Sequence, residues 1–202
     1  MTETAVNIDG LSHFFGSVKV LKDITLSVKT GEFVSVVGRN GSGKSTLLRC
    51  ITGLMREGKS TGSVSLFGKH VSKMSRLEIA KTAAYAPQSL SGTLPFTVLD
   101  FLRLSRYPYE SSFGWTKVDD SPVLAALSEV KMRDAANRLM STLSGGECQK
   151  IIIASVLAQE TPIVLLDEPS AFLDYRHASE IGRTLRTINR RNKRTVIMIT
   201  HD

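Results

Sequence analysis

The segment Gly38-Arg39-Asn40-Gly41-Ser42-Gly43-Lys44-Ser45-Thr46 has the residue types of a phosphate cradle. Glycines let the backbone curl until successive N–H groups point at one phosphate chain. The helix expected after the loop adds the positive end of its dipole. Lys44 can reach the β- and γ-phosphates of a nucleotide, and the Ser45 hydroxyl can ligate Mg²⁺. A second segment, Ile163-Val164-Leu165-Leu166-Asp167-Glu168, is an apolar run ending in two carboxylates. Burying that run as a strand would bring Asp167 to the edge of the phosphate site, where it can hold Mg²⁺ through its water shell. Glu168 can orient or deprotonate an attacking water. Carboxylates after a buried strand also serve merely to solvate its end. The phosphate loop is what favours the chemical reading.

A third segment, Leu143-Ser144-Gly145-Gly146-Glu147-Cys148-Gln149-Lys150, offers a serine and two glycines at a helix start, again with N–H donors for a phosphate. It closely resembles the signature motif of ATP-binding cassette (ABC) proteins. With the two earlier motifs in the family's order, the resemblance covers nearly the whole chain. It implies that ATP is sandwiched between two subunits related by two-fold symmetry, with Ser144, Gly145 and Gly146 contacting ATP held by the other subunit. It assigns Gln88, in Tyr85-Ala86-Pro87-Gln88, to Mg²⁺ and to the link between core and helical subdomain. It makes His201 the sensor of the γ-phosphate, places Asp174 in the loop joining the two active sites, and makes Phe15 the ring that stacks on adenine. Residue type alone would put Phe15 in a core, although a stacking platform needs only a π-face.

The chain departs from the family pattern in places. Glu147 stands where glutamine is usual, although Glu also occurs in the iron-chelate branch. Ala171 replaces a common serine in the inter-site loop. Family members also continue past the histidine, so the C-terminal part of the usual domain is expected to be missing from this sequence. The stretches from Ser75-Arg76-Leu77-Glu78-Ile79-Ala80-Lys81 to Gln88, Phe96-Thr97-Val98-Leu99-Asp100, Arg106-Tyr107-Pro108-Tyr109 and Glu168-Pro169-Ser170-Ala171-Phe172-Leu173-Asp174 resemble the branch that imports iron-siderophores, haem and vitamin B12. The resemblance implies an ATPase that powers such import from the cytoplasmic face of a membrane. Its partners would be a second cassette, most simply a copy of itself, a transmembrane permease, and indirectly a binding protein. A cassette for another solute is the alternative. Residues 89–109 are expected to form the permease groove, with Phe96 and Tyr107 as candidate contacts, although both also suit a helical core.

The elements that must position these residues follow from periodicity. Residues 6–9, 24–28 and 63–67 alternate apolar and polar as half-buried strands do, and 33–37, 163–166 and 195–200 are the short apolar runs of buried strands. Helices are expected over 44–53, 77–84, 144–159 and 179–190, with short helical pieces broken by Pro95, Pro108, Gly114 and Pro122 between 89 and 140. Apolar strands alternating with helices predict an α/β fold with a parallel core sheet, ligands lying beyond the carboxyl ends of its strands. The family adds a small antiparallel β subdomain and an inserted helical subdomain. The expected division is a nucleotide-binding core over 1–88 and 160–202 and a helical subdomain over 89–159.

At 202 residues the chain suits one such domain. No apolar run approaches the ~20 residues of a membrane span, and Met1-Thr2-Glu3-Thr4 lacks the character of a signal peptide, so a cytosolic location is expected. Cys50 and Cys148 are too few for a disulfide framework and read as reduced thiols. The net charge of +7 fits nucleic acid, anionic membrane or phosphate ligands. Arg183, Arg186, Arg190, Arg191, Lys193 and Arg194 would be the basis of a nucleic-acid-associated ATPase, but no aromatic platform accompanies them. They read as a solvated helix face, and no nucleic-acid partner is expected.

Overall fold

The computed structural model describes residues 3–55, 57–90, 92, 94–109, 119–171 and 173–200. In chain order they form β1 (Thr4–Phe15), β2 (Val18–Lys29), β3 (Phe33–Val37), α1 (Lys44–Ile51), β4 (Lys59–Leu66), β5 (Lys69–His70), α2 (Arg76–Thr82), β6 (Ala83–Ala86), α3 (Val98–Arg103), α4 (Ser121–Glu129), α5 (Gly145–Ala158), β7 (Ile163–Asp167), α6 (Tyr175–Asn192) and β8 (Thr195–Thr200). Two sheets result. β3, β8, β7 and β6 lie side by side in that order, every pair parallel. The other sheet, in the order β2-β1-β4-β5, is antiparallel. The fold is therefore the α/β arrangement that the alternation of strands and helices predicts.

β7 is buried along its whole length, which is why it reads as an unbroken apolar run. Its side chains alternate between two cores, as strand geometry requires. Ile163 and Leu165 meet α1 and the antiparallel sheet, in a cluster with Leu47, Leu48, Ile51, Val6 and Ile8. Val164 and Leu166 face the helical side, with Ile151, Ile152, Leu127, Leu102 and Leu185. Both faces of the parallel sheet are thus covered, and the carboxyl ends of β3 and β7 are left to carry the loops of interest.

Several expected boundaries move. β1 and β2 each run 12 residues, more than twice the alternating stretches seen in sequence. Their register is interrupted at several points, and each interruption breaks the alternation. Residues 83–84, expected to end a helix, begin β6, because pairing with Ile163 and Val164 of β7 outweighs the helix propensity of alanine. Pro108 does not separate helical pieces. It sits buried inside a 3-10 turn, Leu104–Tyr109. Pro122 lies in the first turn of α4, where its missing N–H costs nothing. Gly114 lies outside the described residues. α6 starts at Tyr175 rather than 179, because the Asp174 carboxylate accepts the His177 N–H at 2.8 Å and caps it there. Ile181, Leu185 and Ile188 then supply the buried face of α6 at helical spacing.

Candidate active site

The loop from β3 to α1 is closed by its own lysine. The Lys44 ammonium donates to the Gly38 and Arg39 carbonyls at 2.6 and 3.0 Å, holding the loop curled around a cavity. Gly43 caps α1 with φ 91°, a left-handed conformation, and a β-carbon there would come within 2.9 Å of Val20 Cγ1 and 3.2 Å of the Val20 carbonyl. Only glycine meets both demands. The first turn of α1 carries no acidic residue and Gly43 supplies no side-chain cap, so the helix presents its N–H groups and positive end to whatever fills the loop.

At the second position of α1, the Ser45 hydroxyl donates to Asp167 Oδ1 at 3.0 Å. The second carboxylate oxygen accepts from the Tyr85 hydroxyl, also at 3.0 Å. Arg49, four residues past Ser45 on the same face of α1, has its pKa raised by the Tyr85 phenol. Burial pushes the Tyr85 phenol up, so it stays a donor. Beyond β7, the Gln88 amide donates to Glu168 Oε2 at 2.7 Å. Glu168 has φ 50°, unusual for a side-chain-bearing residue, and its N–H bonds the Ile199 carbonyl of β8. An open cleft of ≈ 360 Å³ is lined by Val20, residues 40–46, Gln88 and Glu168.

Phosphate loop, Ser45, Gln88, Asp167 and Glu168 therefore converge on one place. Phe15 ends β1, partly buried, its ring meeting the His13 ring edge-on at 4.7 Å. It does not line the cleft; Val20 on the paired strand does. Ser144, Gly145 and Gly146 open α5 at a separate place, Gly146 against Leu173 of the loop before α6. Asp174 caps α6. The loop ahead of it is held by its own backbone, with the Ala171 N–H donating to the Glu168 carbonyl at 2.9 Å, so it does not depend on a serine at 171. His201 and Phe172 lie outside the described residues. Glu147 closes a capping box with Ser144 and pairs with Arg138 at 2.7 Å, and that guanidinium holds its carboxyl down at about 2. Cys50 and Cys148 are unpaired and both thiols are pushed up by burial, which keeps them protonated and inert. Sequence reasoning missed Arg49 and Tyr85. The four-residue step from Ser45 to Arg49 was the available signal.

A glycine loop opening into a helix beneath a covered parallel sheet, facing a carboxylate-tipped strand, defines a P-loop nucleotide-binding ATPase. The description of the ABC transporter family matches residues 21–171, and the chain belongs to that family. It is 37% identical over 189 residues to the iron(3+)-hydroxamate import ATP-binding protein FhuC of Bacillus subtilis, covering 93% of this chain and 70% of that one. It is 35% identical over 205 residues to the ferric enterobactin transport ATP-binding protein FepC of Escherichia coli, covering 100% and 75%. Among solved structures, a dimeric ATP-binding cassette in a post-hydrolysis state with ADP and Pi superimposes with TM-score 0.85 at 28% identity, over 98% of this chain and 88% of that one.

Proposed function

We propose that this chain hydrolyses ATP to drive import of an iron chelate or a related compound such as haem or cobalamin. The observation that carries the ATPase reading is the convergence of Lys44, Ser45, Gln88 and Glu168 on one open cleft. The import reading rests on the similarity to ferric-chelate import proteins. Among the described residues no helix is long and apolar enough to cross a membrane. In the proposed importer the translocation path is a permease, with the cassette on its cytoplasmic face. Tyr107, Leu104 and Leu54 are 72%, 57% and 52% exposed, apolar side chains of the kind a protein partner covers. Two of them come from the expected segment 89–109, and Leu54 follows α1. Phe96, also exposed, is a further candidate contact.

The residues fit ATP and Mg²⁺. The Lys44 ammonium and the uncapped start of α1 face the cleft, and the hard oxygens of Ser45 and Asp167 lie 3.0 Å apart. So few protein ligands suit a cation that takes its remaining oxygens from phosphates and water. When bound, Mg²⁺ neutralises charge developing on the phosphates. Ser45, Asp167 and Gln88 are its proposed holders. Lys44 and the N–H groups of 40–46 hold the phosphate chain in line, Thr46 among them. Glu168 accepts a hydrogen bond from the attacking water and then its proton, while the Gln88 amide fixes the carboxylate's orientation. Phe15 stacks the base, and His201 contacts the γ-phosphate. Gly38, Arg39 and Asn40 shape the loop. In a two-fold dimer, Ser144, Gly145 and Gly146 of one subunit close the site of the other, and Asp174 lies in the loop between sites. The simplest such dimer is of two identical chains, served indirectly by a binding protein.

Glu168→Gln keeps shape and hydrogen bonding but removes the base. We expect kcat to fall at least about 100-fold while ATP affinity is kept and an ATP-bound dimer accumulates, measured by single-turnover hydrolysis and light scattering. Hydrolysis at the normal rate would remove Glu168 from the mechanism.

A further inference from the structure

A second concavity lies on the far side of α1 from the phosphate loop. It measures ≈ 380 Å³ and is lined by the end of α1 and the turn after it (Thr52, Gly53, Leu54), by Ile79 of α2, and by Tyr85. Its walls are tied to both nucleotide-facing helices. Gly53 packs so closely on α2 that a β-carbon would approach Ile79 Cδ1 to 3.2 Å. The Gln159 amide at the end of α5 donates to the Ala80 carbonyl of α2 at 2.6 Å. The groove thus sits at the tail of α1, whose head holds the phosphate loop, and at the tail of α5, whose head carries Ser144.

Tyr85 lines this groove and also touches Asp167, the carboxylate beside the nucleotide cleft. β6 pairs with β7 in parallel, Tyr85 opposite Leu165. Residues two apart on a strand share a face, so Asp167 is the next side chain of β7 on the Tyr85 side. That is the face packed by α1, where Leu165 and Tyr85 join one core cluster. The ring lines the groove, and the hydroxyl reaches diagonally to Asp167 Oδ2 at 3.0 Å. Ser45 holds the other carboxylate oxygen, so a shift of the phenol rotates the carboxylate against a fixed point. Arg49 of α1 has its pKa raised by the same phenol.

We propose that Tyr85 is a positioning residue that couples the groove to the nucleotide site: its hydroxyl sets the orientation of Asp167, and whatever changes the groove walls changes that orientation. The proposal rests on Asp167 as the cation's holder. Coupling of this kind is reciprocal, so cation binding at Asp167 alters the groove walls by the same route.

The test uses the full chain, its Tyr85→Phe variant, which keeps the ring and loses only the hydroxyl, and Asp167→Asn. Mn²⁺ affinity is read by electron paramagnetic resonance with a non-hydrolysable ATP analogue bound. Amide exchange is read over residues 52–54 and 76–83 (the groove) and over 38–46 (the loop). In the parent chain, adding the divalent cation to the analogue-bound protein changes exchange in the groove. In Y85F that change disappears and Mn²⁺ affinity falls about tenfold, the size expected when a group orienting a metal ligand is lost, while the analogue alone still protects the loop. An unchanged Mn²⁺ affinity and groove response in Y85F, with D167N impaired, would overturn the coupling and leave Asp167 in place. D167N with normal Mn²⁺ affinity would instead overturn the role of Asp167 itself. Loss of loop protection in Y85F would show that the hydroxyl serves the fold, and would also sink the proposal.

Discussion

Two helix N-termini in this molecule follow glycine and serine, and in sequence they promise the same thing. In three dimensions they differ. α1 begins at a left-handed glycine with no side-chain cap and no acid in its first turn, and its lysine curls the loop in front. α5 begins at Ser144, whose hydroxyl accepts the Glu147 N–H while Glu147 accepts the Ser144 N–H at 2.8 Å. That box leaves the Gly145 and Gly146 N–H groups uncapped but sets a carboxylate beside them, with Arg138 against it. α1 is built to be completed by an anion, whereas α5 is complete as a helix start and offers what is left over. In the dimer proposed above, α1 would bind nucleotide in the single chain, and α5 would contribute only once a partner brings a nucleotide to it.

The largest effect that could break this contrast comes from a methyl group at each end. Gly43→Ala forces a left-handed φ on alanine and places its β-carbon 2.9 Å from Val20. We expect ATP affinity, by calorimetry, to fall at least about 100-fold, in line with ~3 kcal/mol of overpacking and strain. Gly146→Ala meets only the Leu173 side chain, at 3.2 Å. It should leave ATP binding to the isolated chain within roughly twofold, while depressing hydrolysis by the dimer. Equal losses of binding in both variants would abolish the distinction between the two termini.

A smaller effect separates capping from charge. Glu147→Ala removes the reciprocal cap, and the midpoint of urea unfolding should report about 1 kcal/mol of lost stability. Glu147→Gln keeps the two hydrogen bonds of the cap and gives up only the Arg138 pair, so it should lose much less. If the two variants were equally destabilised, the Arg138 pair rather than the cap would be holding the start of α5.

The contrast also explains what could be read in advance. The phosphate loop, Asp167 and Glu168 were legible because each combines a residue type with a fixed offset from a strand or helix end. The antiparallel sheet was legible only in fragments, because the irregular register of β1 hides its alternation. β6 was illegible: three of the four residues in Ala83-Ala84-Tyr85-Ala86 are alanines, which disfavour strands, and the segment is a strand because β7 lies beside it. That is also why Tyr85 and Arg49 went unassigned, since their meeting depends on the β6–β7 register. Glu147 read as a departure from pattern, whereas the structure makes it a cap.

The smallest expected effect is the pH dependence of that cap. Glu147 is held at about 2, below its ordinary 4.5, first by the Arg138 side chain and then by the Ser144 N–H. A depressed carboxyl contributes stability that is present above its unfolded value and is lost as pH falls through its folded one. The thermal midpoint of the parent chain should therefore exceed that of E147Q by a constant margin above pH 4.5, and the two should converge as pH approaches 2. The pair is 42% and 31% exposed, so solvent screens it and the margin belongs with surface ion pairs, roughly 0.2–1 kcal/mol. It should shrink further in salt. A margin unmoved by both acid and salt would mean that Glu147 acts by shape alone. The charge beside Gly145 and Gly146 would then be incidental to how α5 meets a phosphate.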